Sequence, residues 1–220
     1  MNDLVNAFLL VYAGLFPIVN PIGGAPIFLG LTRHCSLEER HALAGRVALN
    51  GFLLLLGSLF IGSHVLEFFG ITLPVVRVAG GLVVTSFAWK LLHWGDESEA
   101  PPSAAAGGAP TKPPDAFYPL TLPLTIGPGS IAVAITLGSQ RPSPAGDLAH
   151  LALIGAAAVA GLIAISATVF VCYRFAETLV ARLGESGTNV LVRLSAFILL
   201  CIGIEIIWSG YSALAGSAGG

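Results

Sequence analysis

Six long apolar stretches constrain this chain more than any other feature of it. They run approximately from Leu4 to Leu31, Leu43 to Phe69, Leu73 to Leu92, Phe117 to Gly138, Leu148 to Tyr173 and Asn189 to Tyr211. Each can be laid out as a helix of about 20 residues, the length that crosses roughly 30 Å of hydrocarbon. A spanning segment has no water to take its backbone hydrogen bonds, and none of the six alternates strictly between apolar and polar residues. Helices rather than a closed barrel are therefore expected. Composition agrees, since 55% hydrophobic and 10% charged residues with a mean hydropathy of +0.86 fit no ordinary water-soluble fold of 220 residues.

Met1-Asn2-Asp3 carries no basic side chain, and the apolar run that follows outlasts a signal-peptide core, so the first stretch reads as a transmembrane helix. Cys35, Cys172 and Cys201 lie far apart without CxxC spacing, which points to small hydrophobes rather than a zinc site, redox pair or disulfide. Arg33, Arg40, Arg46, Lys90, Lys112, Arg174, Arg182 and Arg193 fall around loops one, three and five, against Arg77 and Arg141 on the other side. That eight-to-two split predicts loops one, three and five in the cytoplasm and both termini outside. Residues 95–116, GDESEAPPSAAAGGAPTKPPDA, have too little apolar surface to offset the entropy of ordering. They are expected to form a flexible cytoplasmic linker between a first three-helix unit, 1–94, and a second, 117–220.

The two units share an unusual pattern. PIVNPIGGAP places prolines at 17, 21 and 26, and PLTLPLTIGP places them at 119, 123 and 128; both read P-x3-P-x4-P. Each interior proline removes a donor and crowds the preceding turn, so the repetition is not expected by chance. VVRVAGG (75–81) and LVRLSAF (191–197) echo one another in the third helix of each unit. A duplicated unit with an odd number of crossings must lie upside down relative to its copy, which predicts an all-α membrane fold of two inverted three-helix repeats.

Helices 1 and 4 are expected to be broken, unwinding near their middles and restarting at Pro26 and Pro128. Such breaks leave backbone carbonyl and N–H groups that must face protein, water or ligand at membrane depth. In inverted repeats the two breaks come together near the midplane, where the discontinuous helices of transporters bind solute. The candidate solute path comprises Asn20, Pro21, Gly23, Gly24 and Pro26 with Thr121, Pro123, Thr125, Gly127, Pro128 and Gly129. Asn20 offers an amide and the threonines offer hydroxyls, while neither break contains a carboxylate. That chemistry suits a neutral or zwitterionic solute better than a bare cation. The simpler alternative is that the prolines only kink packed helices, with Asn20 and the threonines satisfying local backbone.

Glu205 within CIGIEIIW is read either as a proton-coupling group or as a carboxylate near the interface. Arg77 and Arg193, at matching places in the repeat, are read as structural bridges or as gating groups. Asn50, Thr85 and Ser86 are expected along the same polar interior. Gly14, Gly51, Gly57, Gly80, Gly81, Gly155, Gly161 and Gly203 read as close helix contacts. No nucleotide-binding loop or HExxH segment is present, so an ATP-driven pump or metalloprotease is not expected; nor is an enzyme, a cofactor, a metal or a nucleic-acid partner.

FPIVNPIGGAPIF (16–28), FGITLPVVRVAGG (69–81), PLTIGPGSI (123–131) and GESGTNVLVRL (184–194) together resemble the MarC family of bacterial inner-membrane proteins, over both units and in order. The family's motifs fall here on Asn20, Pro21, Gly23, Pro26, Arg77, Gly80, Gly81, Pro123, Thr125, Gly127, Pro128, Gly129 and Arg193. The resemblance implies six helices, a bacterial plasma-membrane location and movement of small neutral amino acids. With it, the expected function is secondary transport by alternating access. A small-solute channel and a non-transporting membrane scaffold are the alternatives.

Overall fold

A computed structural model describes residues 2–93, 114–139 and 148–218. The linker expected over 95–116 falls almost entirely outside them, as do Lys112 and Arg141. Among the described residues the chain is helical and has no β-strand: α1 (Asn2–Val19), α2 (Pro21–Leu31), α3 (Leu37–Phe68), α4 (Leu73–Leu92), a wide π-helical segment (Leu120–Thr125), α5 (Pro128–Ser139), α6 (Leu148–Arg174) and α7 (Ala176–Ala218). Four spans are long and apolar enough to cross a bilayer: Leu37–Phe68, Leu73–Leu92, Ala152–Arg174 and Ser186–Gly216. The bent pair Asp3–Val19 and Pro21–Leu31 passes the same test as one broken span. The fourth expected stretch is two short pieces, of which α5 has only 12 residues and cannot cross alone.

Helix ends follow local chemistry. At the start of α3, the Glu39 N–H donates to Ser36 Oγ (3.2 Å) and the Ser36 N–H donates to Glu39 Oε2 (2.8 Å), a reciprocal cap that satisfies two orphan donors. α7 is interrupted near its start, where Gly184 takes φ +67°, a left-handed backbone that costs glycine little. Apolar side chains face outward as well as inward, with Leu49, Ile61 and Ile163 all more than half exposed. Phe68, Phe69 and Trp89 stand exposed at the ends of α3 and α4; the amphipathic indole of Trp89 suits a membrane boundary.

The most extensive helix pairing among the described residues is α4 with α7. Gly81 lies against Ile207, Gly203 against Thr85, and Gly210 against Pro74 and Val78, so the two helices run antiparallel on a seam where glycines admit close approach. α3 packs on α5 and α6, and α1 packs on α6. The expectation for the glycines divides here. Gly80, Gly81, Gly161 and Gly203 do make close helix contacts, and Gly51 lies against Ile126. Among the described residues, no atom lies within 4 Å of a methyl built on Gly57 or Gly155, so those two make no close contact there.

On one face of the bundle, Arg40 is buried and ties the first connection to the fifth. Its guanidinium donates to Thr32 Oγ1 (3.2 Å), to the Thr32 carbonyl (3.1 Å) and to Glu177 at the start of α7. Arg40 thus does more than mark topology: it joins segments 137 positions apart.

Candidate functional site

The first break falls at Asn20. A residue before proline is pushed out of the helical region, and asparagine enters the left-handed region more readily than most residues do. Asn20 takes φ +47°, ψ +58°, and the two helices bend by 41° around it. Its backbone remains paired: the Asn20 N–H donates to the Phe16 carbonyl (2.9 Å), and its own carbonyl accepts from the Gly24 N–H (2.9 Å). Its side-chain Oδ1 accepts from the Gly23 N–H (3.2 Å), capping α2. The helix therefore restarts at Pro21, one turn earlier than the expected Pro26, because proline suits a first helical turn and the amide cap is already in place. Gly23 and Gly24 are helical, not unwound. They act as spacers: a Cβ on Gly23 would fall on the Asn20 amide, and one on Gly24 would lie 2.7 Å from the Tyr173 hydroxyl.

At the second break the chain widens into the π-helical segment, kinks at Leu122 (φ −107°, ψ +128°), and restarts at Pro128 as expected. The peptide bonds before Pro119 and Pro123 are cis. Thr121 and Thr125 are buried, and their hydroxyls donate to the carbonyls of Ala116 and Leu120, each at 2.7 Å. Ser130 Oγ donates to the Gly127 carbonyl at 2.8 Å. The hydroxyls are thus spent on local backbone carbonyls, and those of Ala116 and Gly127 also accept the N–H groups of Thr121 and Ile131.

Tyr173, near the end of α6, joins the breaks. It is fully buried, its ring stacks on Phe28 of α2 (centroids 4.4 Å apart, planes 17° apart), and its hydroxyl lies 2.9 Å from Thr125 Oγ1. One aromatic side chain thus touches α2 just past the first break and Thr125 inside the second.

Two small cavities adjoin Thr125. One, of about 60 Å³, lies between the second break, Val84 and Phe87 of α4, and Leu199 of α7. The other, of about 10 Å³, is lined by Val19, Val47, Gly51, Ile126, Ser166 and Val169. Ligand pockets start at roughly 300 Å³, so each of these two cavities is far smaller than a solute site and has space for a few waters at most. A groove of about 330 Å³ near Ser63, Glu67, Thr72 and Ser139 lies at the far ends of α3 and α5.

Pro21, Gly23, Gly24 and Gly129 are buried, Asn20, Pro26 and Gly127 half-buried, and Pro123 and Pro128 exposed. Thr125, Pro123, Gly127, Pro128 and Gly129 line the 60 Å³ cavity; Asn20, Thr121, Arg77, Arg193 and Glu205 do not. Arg77 Nε donates to Thr136 Oγ1 of α5 at 3.5 Å, whereas Arg193 and Glu205 are exposed on α7. Asn50 and Ser86 line neither cavity beside Thr125, and Ser86 is exposed. Thr85 faces Gly203, its buried hydroxyl without a hydrogen-bond partner among the described residues. Tyr173 and Phe28 have no assigned role in the sequence reading; the hint in the sequence is that α6 carries a single tyrosine, near its end.

A multi-pass all-helical protein, with a bent span and a second proline break meeting at a buried tyrosine, is an integral membrane protein of the discontinuous-helix kind. The model of the MarC family integral membrane protein matches residues 5–215, and the chain belongs to that family. It is 29% identical over 215 residues to the UPF0056 inner membrane protein MarC of Salmonella typhimurium, covering 96% of both chains. It is 29% identical over 214 residues to the UPF0056 membrane protein YvbG of Bacillus subtilis, covering 93% of both. A UPF0056 membrane protein of Archaeoglobus fulgidus is 30% identical over 208 residues, 94% of this chain and 92% of the relative. No solved structure matches.

Proposed function

We propose that this chain is a secondary carrier of small neutral or zwitterionic solutes, neutral amino acids first among them, working by alternating access in a bacterial inner membrane. The observation that carries the reading is the meeting of two proline-broken helices at one buried hydroxyl pair. Breaks of this kind set backbone dipoles and polar side chains at membrane depth, and carriers bind solute at such points.

We read the architecture as two inverted three-helix repeats, each with one broken helix. Reciprocal packing supports this: α2 lies against α6 and α7 as α5 lies against α3 and α4, while α4 crosses α7 antiparallel. The Arg40–Glu177 pair, which sets loops one and five on one face, accords with both repeats and with cytoplasmic placement of those loops. The Salmonella relative is named as an inner membrane protein, in keeping with the location proposed here.

The close packing of the breaks favours a second reading, a non-transporting scaffold, over an open channel. Flux decides between carrier and scaffold. Asn20→Gly keeps the left-handed backbone and removes only the amide, so flux of labelled neutral amino acids into proteoliposomes is expected to fall about tenfold with folded protein undiminished. Unchanged flux removes Asn20 from the path. No flux from wild-type protein that is folded and inserted favours the scaffold.

A further inference from the structure

We propose that Tyr173 is the donor that binds an acceptor oxygen of the transported solute, with Thr125 holding the place of that oxygen in the closed state. The inference rests on the carrier function proposed above. It starts from a count of protons. Thr125 has one hydroxyl hydrogen, directed at the Leu120 carbonyl 2.7 Å away. Across the 2.9 Å contact with Tyr173, Thr125 can then only accept, and Tyr173 donates.

The ring is held so that this hydroxyl points toward Thr125, beside Gly24 of α2. Phe28 stacks on one face, and Gly24, one turn earlier on α2, leaves the notch in which the hydroxyl rests. An aliphatic hydroxyl is a neutral acceptor, even when donation of its own proton strengthens it. A carboxylate is a stronger one, since charge-assisted bonds are about twice as strong as neutral ones. When the broken helices part, a solute carboxylate displaces Thr125 from Tyr173, while Thr125 keeps its own bond to Leu120. Solute binding thus costs the site no stranded buried donor, a loss that disfavours analogues lacking the acceptor.

The test is uptake of labelled alanine, serine and leucine into proteoliposomes by wild-type protein, Tyr173→Phe, Gly24→Ala and the double variant. The unlabelled amino acid and its carboxamide serve as competitors. In Tyr173→Phe the KM of the carried amino acid is expected to rise about tenfold or more, with little change in maximal rate. The preference for acid over amide is expected to disappear, a change that a purely structural role does not produce.

Gly24→Ala sets a methyl 2.7 Å from the hydroxyl and is expected to lower thermal stability. Adding Tyr173→Phe removes the clashing atom, so the double variant recovers stability and keeps the raised KM. An unchanged KM in folded Tyr173→Phe, or equal loss of acid and amide recognition, overturns the assignment and leaves the carrier standing. Absence of wild-type flux overturns both.

Discussion

Gly203→Ala is expected to cost about 3 kcal/mol of stability, seen as a large fall in the thermal unfolding midpoint in detergent and as loss of monodisperse protein. The added methyl would lie 2.8 Å from the Thr85 backbone nitrogen, against the Thr85 side chain, and 3.2 Å from the Gly81 carbonyl. Two of these are backbone atoms in a helix interior and cannot turn aside, so α4 and α7 must separate. Separation breaks a contact that continues through Gly81 and Gly210, where added methyls would come within 2.8 Å of the Gly203 and Pro74 carbonyls. In lipid no hydrophobic force closes such a gap again; close packing itself holds the helices together. Gly57→Ala and Gly155→Ala are the controls, expected to be neutral or slightly stabilising because each methyl enters open space within a helix. Equal losses in all three variants would overturn the seam as the cause, since helix propensity favours alanine at each position.

Arg40→Met is expected to cost about 3 kcal/mol as well, for an electrostatic reason. The Arg40 side chain is 6% exposed and gives up its bonds to the Thr32 hydroxyl, the Thr32 and Cys35 carbonyls, and Glu177. Thr32 is fully buried, and its carbonyl loses the donor that Arg40 supplied. Glu177→Gln is expected to cost about 1 kcal/mol or less, because that side chain is 55% exposed and water screens the lost charge. Thermal unfolding of the two variants side by side checks the ordering. A larger loss for Glu177→Gln than for Arg40→Met would mean that the ion pair, and not the guanidinium's hold on the backbone, closes this face.

The outline of the fold was legible because its causes are local. Apolar length and the cost of unpaired backbone in lipid determine where a segment crosses, and the helices lie close to the expected stretches, from Leu73–Leu92 in the first unit to Leu148–Arg174 in the second. Pro21 and Pro128 each begin a helix, as proline's missing N–H and restricted φ require. The first break was misplaced by a turn because Asn20 both adopts the left-handed backbone and caps Gly23, a dual use that proline and glycine spacing does not display.

The site was only half legible. Its residue types could be read, but their partners could not, since a hydroxyl's role depends on what folding brings to it. Thr121 and Thr125 both turn inward to mend their own backbone, yet only Thr125 meets Tyr173, 48 positions along the chain. Arg40 was read as one of eight charges on a topological side, and folding also makes it a buried link across the bundle. Glycines that look alike in sequence divide into a tight seam and open positions according to which helix lies opposite.

By itself, then, the sequence determined the solvent this protein folds in, the approximate extent of its helices and the pair of proline breaks, all consequences of backbone chemistry within a few turns. Tertiary structure alone decided that the breaks close on Tyr173, that Arg40 joins loops one and five, and that Gly81, Gly203 and Gly210 carry the helix seam. Each of those depends on van der Waals contact or a hydrogen bond between residues far apart in the chain, and packing alone determines which distant residues meet.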